Sequence, residues 1–197
     1  MKICVYAASS NKLKKVFYDT AFEFGKKLAQ RGHTLVYGGG ASGLMGACAK
    51  GVKSEGGRVI GIAPGFFNLP GILLDSADEM IITETMAERK TKMRELSEAF
   101  VMLPGGIGSF EEFFETLTLK QIGEVENAIA ILNAEGCFDK LCEMLEKSVA
   151  EGFTPAETLK MFAVFKSADE LLDYAEQYTP RRTELWREKM TAKKYSI

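Results

Sequence analysis

Apolar residues along the chain fall into short runs separated by stretches of helical spacing. Residues 3–7, Ile-Cys-Val-Tyr-Ala, read as a buried strand. Phe17, Ala21, Phe24 and Leu28 then recur at the interval of a helix, and Gly32 suits its C-terminal cap. The alternation continues. Strands are predicted at 34–37, 58–62, 80–83, 99–103, 128–133 and 160–165, and helices at 44–55, 86–98 and 109–122. Phe138, Leu141, Cys142, Leu145 and Val149 mark another helix, closed by Gly152. Ser167 and Glu170 have the spacing of a capping box for the next one. Thr179-Pro180 opens a last, charged helix at about 179–194. Between the third and fourth strands, residues 64–78 carry two prolines and two glycines and read as a loop.

This order predicts an α/β fold: a three-layer, Rossmann-like parallel sheet of about 6–7 strands with helices on both faces. The 197 residues suit a single domain, with no internal repeat or linker. In such a sheet ligands bind beyond the carboxyl ends of the strands.

Composition narrows the function. With 46% hydrophobic and 26% charged residues the chain is ordinary globular protein, and a net charge of −2 calls for neither nucleic acid nor membrane. The last predicted helix is basic at Arg181, Arg182, Arg187, Lys189, Lys193 and Lys194, but Glu184 and Glu188 interrupt the run. It reads as a solvated or packing helix anchored by Leu185 and Trp186. The N-terminus runs straight into a strand without a leader-like apolar segment, and no run of about 18 apolar residues occurs, so a cytoplasmic location is expected. Cys4, Cys48, Cys137 and Cys142 form no CxxC pair and read as reduced core thiols. The single histidine, His33, excludes a His-rich metal site and reads as structural or exposed.

Three segments follow strands with unusual chemistry. In residues 38–46, five glycines (Gly38, Gly39, Gly40, Gly43 and Gly46), with Ser42 among them, sit in nine residues that open a helix. Missing Cβ atoms let backbone N–H groups approach an anion, and the helix dipole favours negative charge. Gly38, Gly40 and Gly43 have G-x-G-x-x-G spacing, but glycine density makes that match easy, and no Walker lysine follows. A tight strand–helix turn is the other reading. In residues 104–112, Gly105, Gly106 and Gly108, with Ile107 between them, again run from a strand into a helix, where Ser109 adds a hydroxyl. Glu111 and Glu112 would repel a phosphate there, so a carboxylate is better placed against sugar, base or water. Ser109-x-x-Glu112 is equally a capping box. In residues 86–93, Arg89 shares a helix face with Met86 and Met93. A guanidinium on a buried stripe needs a carboxylate or phosphate partner, unless it snorkels to the surface.

Together these segments resemble the Lonely Guy family of cytokinin riboside 5′-monophosphate phosphoribohydrolases, whose relatives are often labelled lysine decarboxylases. The family's P-G-G-x-G-T-x-x-E matches 104–112, with Ser109 for threonine; its G-G-G-x-x-G-L-M-G matches 38–46; its M-x-x-R-K matches 86–90. Residues 118–123 look like its T-W-x-Q-L-G, and the resemblance covers roughly residues 1–150. It implies cleavage of the N-glycosidic bond of an adenosine-type nucleoside 5′-monophosphate, with Arg89 and Glu112 as the catalytic pair. It also implies nucleotide contacts from the first glycine loop, Met86, Lys90, residues 105–111 and Thr118. A homodimer with sites near the interface follows, with no metal or organic cofactor. Three departures bear on base selectivity: Ala7-Ala8 precede Ser9-Ser10 where glycine is usual, Gly71 replaces a substrate-contacting glutamate, and Leu119 replaces tryptophan. A non-catalytic nucleotide or cofactor carrier on the same fold is the competing reading. Decarboxylation by pyridoxal chemistry lacks a recognisable Schiff-base lysine and its aspartate partner.

Overall fold

The computed structural model describes residues 1–182. Seven strands form one all-parallel sheet in the order β4-β3-β2-β1-β5-β6-β7. They are β1 (Lys2–Tyr6), β2 (Thr34–Tyr37), β3 (Val59–Pro64), β4 (Glu79–Thr83), β5 (Ala99–Met102), β6 (Ala128–Leu132) and β7 (Ala163–Phe165). The helices are α1 (Lys15–Gln30), α2 (Gly43–Ser54), α3 (Met86–Glu95), α4 (Ile107–Gln121), α5 (Asp139–Ala150) and α6 (Ala168–Gln177). Each strand except the last precedes a crossover, as the alternation of apolar runs requires.

The sheet has two apolar faces, and its five central strands are buried on both sides. Ile3, Val5, Leu35 and Tyr37 meet Phe24 and Leu28 of α1, Leu44 and Val52 of α2, and Leu171 and Leu172 of α6. Cys4, Tyr6, Val36, Phe100 and Met102 meet Met93 of α3, Phe113 and Leu117 of α4, and Leu145 of α5. The period of two along each strand sends alternate side chains to these layers. β1 is central, with Val5 registered on Tyr37 of β2 and on Val101 of β5. Strand order reverses between β1 and β5, so the loops leaving those two strands flank a crevice.

Several boundaries differ from the sequence expectation. α4 begins at Ile107, two residues before Ser109, with Gly106 as its N-cap. Ser109 is therefore inside the first turn, and no capping box forms there. Ser167 does cap α6 by position but makes no side-chain cap bond. The working capping arrangement lies at α3, where Thr85 accepts from the Glu88 N–H at 3.1 Å and the Glu88 carboxylate accepts from the Glu84 N–H at 2.9 Å. α3 stops at Glu95, short of residue 98, and Ser97 turns its hydroxyl back onto the Met93 carbonyl at 2.7 Å. A 3-10 turn at Ala156–Lys160 takes the start of the predicted seventh strand.

His33 is structural: it is buried, with Nε2 2.8 Å from a Glu176 carboxylate oxygen. Cys4 and Cys48 are core thiols, and burial pushes each up to about 12. Cys137 is exposed, contrary to expectation, because it leaves the 3-10 turn Ala134–Gly136 before the chain re-enters the core at Phe138. The predicted helix at about 179–194 lies outside the described residues beyond position 182, and residues 179–182 are irregular. No helix among the described residues is long and apolar enough to cross a membrane.

Candidate active site

A cavity of about 590 Å³ opens in the crevice beyond the carboxyl ends of β1, β2 and β5. The β1–α1 loop (Ala7 to Asn11), Gly38, Gly40 and Ser42 of the first glycine loop, and residues 106–109 of the second line it. Arg89, Glu111 and Glu112 form its polar end, with Met86 beside them, while Met45, Phe67, Ile72 and Leu73 form an apolar wall. Its size is that of a site for a small ligand.

Arg89 and Glu112 meet at the floor. Arg89 Nη1 donates to Glu112 Oε1 at 2.7 Å, and Arg89 Nε donates to the Ile62 carbonyl at 3.1 Å. Both side chains are largely buried, at 8% and 12% exposure, so the pair is held in a water-poor place. The guanidinium does not snorkel. Burial raises the Glu112 carboxyl above its ordinary 4.5, and the adjacent Arg89 charge offsets this only in part. Beneath the pair, Thr116 donates to the Glu112 carbonyl at 2.8 Å and its hydroxyl lies 2.9 Å from the Tyr6 hydroxyl.

The two glycine loops behave differently. At the first, the α2 N-terminus is already occupied. Gly43 N–H donates to Asn11 Oδ1 at 2.9 Å, and the N–H groups of Leu44 and Met45 donate to the Ala8 carbonyl at 2.8 and 3.3 Å. A Cβ on Gly43, whose φ is 62°, would lie 2.4 Å from that carbonyl oxygen. So the tight-turn reading describes Gly43, while Gly38, Gly40 and Ser42 still face the cavity. At the second loop, the N–H groups of Ile107, Gly108 and Ser109 find no acceptor among the described residues. These three groups open the 15-residue helix α4 and line the cavity, an arrangement whose amides and helix dipole favour negative charge.

The expected repulsion from the two glutamates is removed by the earlier helix start. The first turn of α4 holds no acid. Glu112 pairs with Arg89, and Glu111 pairs with Lys90, which also lies 2.9 Å from Glu115. Lys90, Gly39, Gly43, Gly105 and Thr118 do not line the cavity, and Thr118 is exposed farther along α4. Gly105 supports the site indirectly: a Cβ there would lie 2.2 Å from Ser109 Oγ. Sequence reasoning missed Asn11 and the apolar wall. The wall's signal was the apolar content of the 64–78 loop. The antiparallel bridge between Gly40 and Leu73 folds that loop over the crevice.

A doubly wound parallel sheet with three unpartnered amides at a helix N-terminus by its switch point, beside a buried arginine–glutamate pair, defines a Rossmann-type binding fold suited to a phosphorylated ligand. The family model described as "Possible lysine decarboxylase" matches residues 45–175. The chain is 36% identical over 180 residues to cytokinin riboside 5′-monophosphate phosphoribohydrolase LOG2 of Arabidopsis thaliana, covering 91% of this chain and 84% of that one. It is also 36% identical over 193 residues to LOG1 of the same plant, covering 98% and 88%. Among solved structures, the molybdenum cofactor carrier protein of Chlamydomonas reinhardtii superposes with a TM-score of 0.68 at 23% identity, covering 89% of this chain and 96% of that one. That likeness concerns the fold. The chain belongs to the Lonely Guy family, the one its three motifs resemble.

Proposed function

We propose that this protein hydrolyses the N-glycosidic bond of adenosine-type nucleoside 5′-monophosphates, releasing the free base and ribose 5-phosphate. The observation that carries the reading is the buried Arg89–Glu112 pair in one cavity with three unpartnered amides of α4. The relatives named above carry the same activity in their names.

The 5′-phosphate binds the N–H groups of Ile107, Gly108 and Ser109. The base rests on the apolar wall of Met45, Phe67, Ile72 and Leu73. This leaves the ribose near Glu112. As the bond from C1′ to the base nitrogen breaks, positive charge builds on the sugar, and the Glu112 carboxylate stabilises it. The same carboxylate takes a proton from the water whose oxygen bonds to C1′, and the departing base takes a proton from solvent. Arg89 orients Glu112. Binding energy from the phosphate positions the sugar without touching the reacting bond. Two copies of the chain pair through the cavity rim, where Phe67, Met86 and Ile107 are exposed at 44%, 40% and 83%.

The test is to incubate the purified protein with AMP and with isopentenyladenosine monophosphate and to resolve the products by chromatography. Free base with ribose 5-phosphate is expected, abolished in Glu112→Ala and strongly reduced in Arg89→Ala. Nucleotide recovered intact from folded protein that binds it would replace the hydrolase with a carrier.

A further inference from the structure

The far end of α4 presents a different chemistry. A second cavity, of about 470 Å³, lies there between Lys120, the Ala156–Lys160 turn and the C-terminal end of α6. Lys120 is 1% exposed, and the catalytic proposal has no use for it. Its ammonium donates to the carbonyl of Asn127 and to the Tyr178 hydroxyl oxygen at 2.7 Å, and sits 4.5 Å over the Tyr178 ring. The Glu126 carbonyl lies at 3.5 Å. Every one of these partners is neutral. No carboxylate pairs with Lys120 among the described residues, and burial lowers its pKa to about 8.

A buried cation without a counter-charge is costly. The cavity wall repeats the imbalance: Lys120, Lys160 and Arg181 stand against one carboxylate, Glu157. Neither Lys160 nor Arg181 forms an ion pair among the described residues. Because Tyr178 accepts from Lys120, its own hydroxyl proton is left to donate elsewhere.

We propose that this cavity is a second binding site, for a small oxyanion of the phosphate or carboxylate class. Lys160 and Arg181 hold the anion by charge-assisted bonds at the rim. The Tyr178 hydroxyl donates to it from the wall. Lys120 stands in the wall beside Tyr178, and the anion supplies the counter-charge that it lacks. The site is at the opposite end of α4 from the amides of residues 107–109, so it stands apart from the proposed hydrolytic cleft.

Amide spectra of the isotope-labelled full chain at pH 7, titrated with inorganic phosphate in one arm and acetate in the other, test this. The expected result is a saturable set of shifts at Lys120, Lys160 and Tyr178, separate from any set at residues 106–109. Saturation by phosphate alone assigns the phosphate class; saturation by acetate as well assigns oxyanions generally. The Lys160→Ala, Arg181→Ala double variant, which leaves the core and the cleft intact, should weaken the second set by about tenfold or more while base release from AMP is unchanged. Lys120→Met should weaken it too, and the double variant decides the matter if that protein does not fold. Absence of the second set with both anions, or its persistence in the double variant, overturns the proposal.

Discussion

The guanidinium of Arg89 occupies the space that a side chain at position 38 would need: a Cβ built on Gly38 would lie 2.2 Å from Arg89 Nη2. Gly38 therefore sets where Arg89 can stand, and through it where Glu112 is held. Gly38→Ala should lower kcat by roughly 100-fold, the scale of an ångström of misplacement. Nucleotide affinity should change little, since the α4 amides are untouched. Steady-state kinetics with calorimetry on the folded variant separates the two, and an unaltered kcat would show that Arg89 position does not matter.

Glu112→Gln keeps the shape of the pair and removes the charge. The barrier to base release should rise by about 2–4 kcal/mol, or roughly 30- to 1000-fold in rate. Full activity in this variant would leave Glu112 as an ion-pair partner of Arg89 and nothing more.

The acidic limb of the kcat–pH profile follows from the same carboxyl. Its pKa is raised by burial above 4.5, and hydrolysis needs the ionised form, so activity should rise with pH through a limb that lies above 4.5. In Arg89→Met the opposing attraction is gone. Burial, with the Glu111 charge, is then opposed only by the lesser pull of Lys90, and the limb should move to higher pH with a lower plateau. A limb at or below 4.5 in the unsubstituted protein would contradict the assignment.

Three amides at the head of α4 have no acceptor among the described residues, and the proposed function puts the 5′-phosphate on them. Adenosine, which lacks the phosphate, should be hydrolysed with kcat/KM at least ~100-fold below that of AMP. Equal turnover of nucleoside and nucleotide would remove the phosphate from these amides.

Helix α3 carries Arg89, and its start depends on Thr85. Thr85→Ala should cost about 1 kcal/mol and lower Tm by roughly 2–4 °C. Thermal unfolding followed by circular dichroism measures this directly.

The layout of the sheet was legible because buried strands and amphipathic helices differ in period, as Ile3 to Ala7 differs from Phe17, Ala21, Phe24 and Leu28. Arg89 was legible in part: its spacing with Met86 and Met93 left either a carboxylate or phosphate partner or a side chain snorkelling to the surface, and the structure gives it Glu112. The head of α4 was not. Gly106 and Gly108 look like loop residues by propensity, yet Gly106 is the N-cap and Gly108 lies in the exposed first turn, with Ser109 the first buried residue of the helix. Thr85 and Glu88 have the same S/T-x-x-E spacing as Ser109 and Glu112; only the former caps a helix, because only Thr85 sits outside its first turn. The hydrogen bonds from Gly43, Leu44 and Met45 to Asn11 and Ala8 join segments about 30 residues apart, a pairing that local periodicity does not encode.

That sealed turn limits what the crevice can grip. Dinucleotide enzymes of similar topology rest a pyrophosphate on the helix that follows a glycine-rich first turn. Here the equivalent donors at the head of α2 are spent on Ala8 and Asn11. A ligand carrying two linked phosphates would meet one open helix end and one already closed, so under the proposed function a single terminal phosphate is the better match.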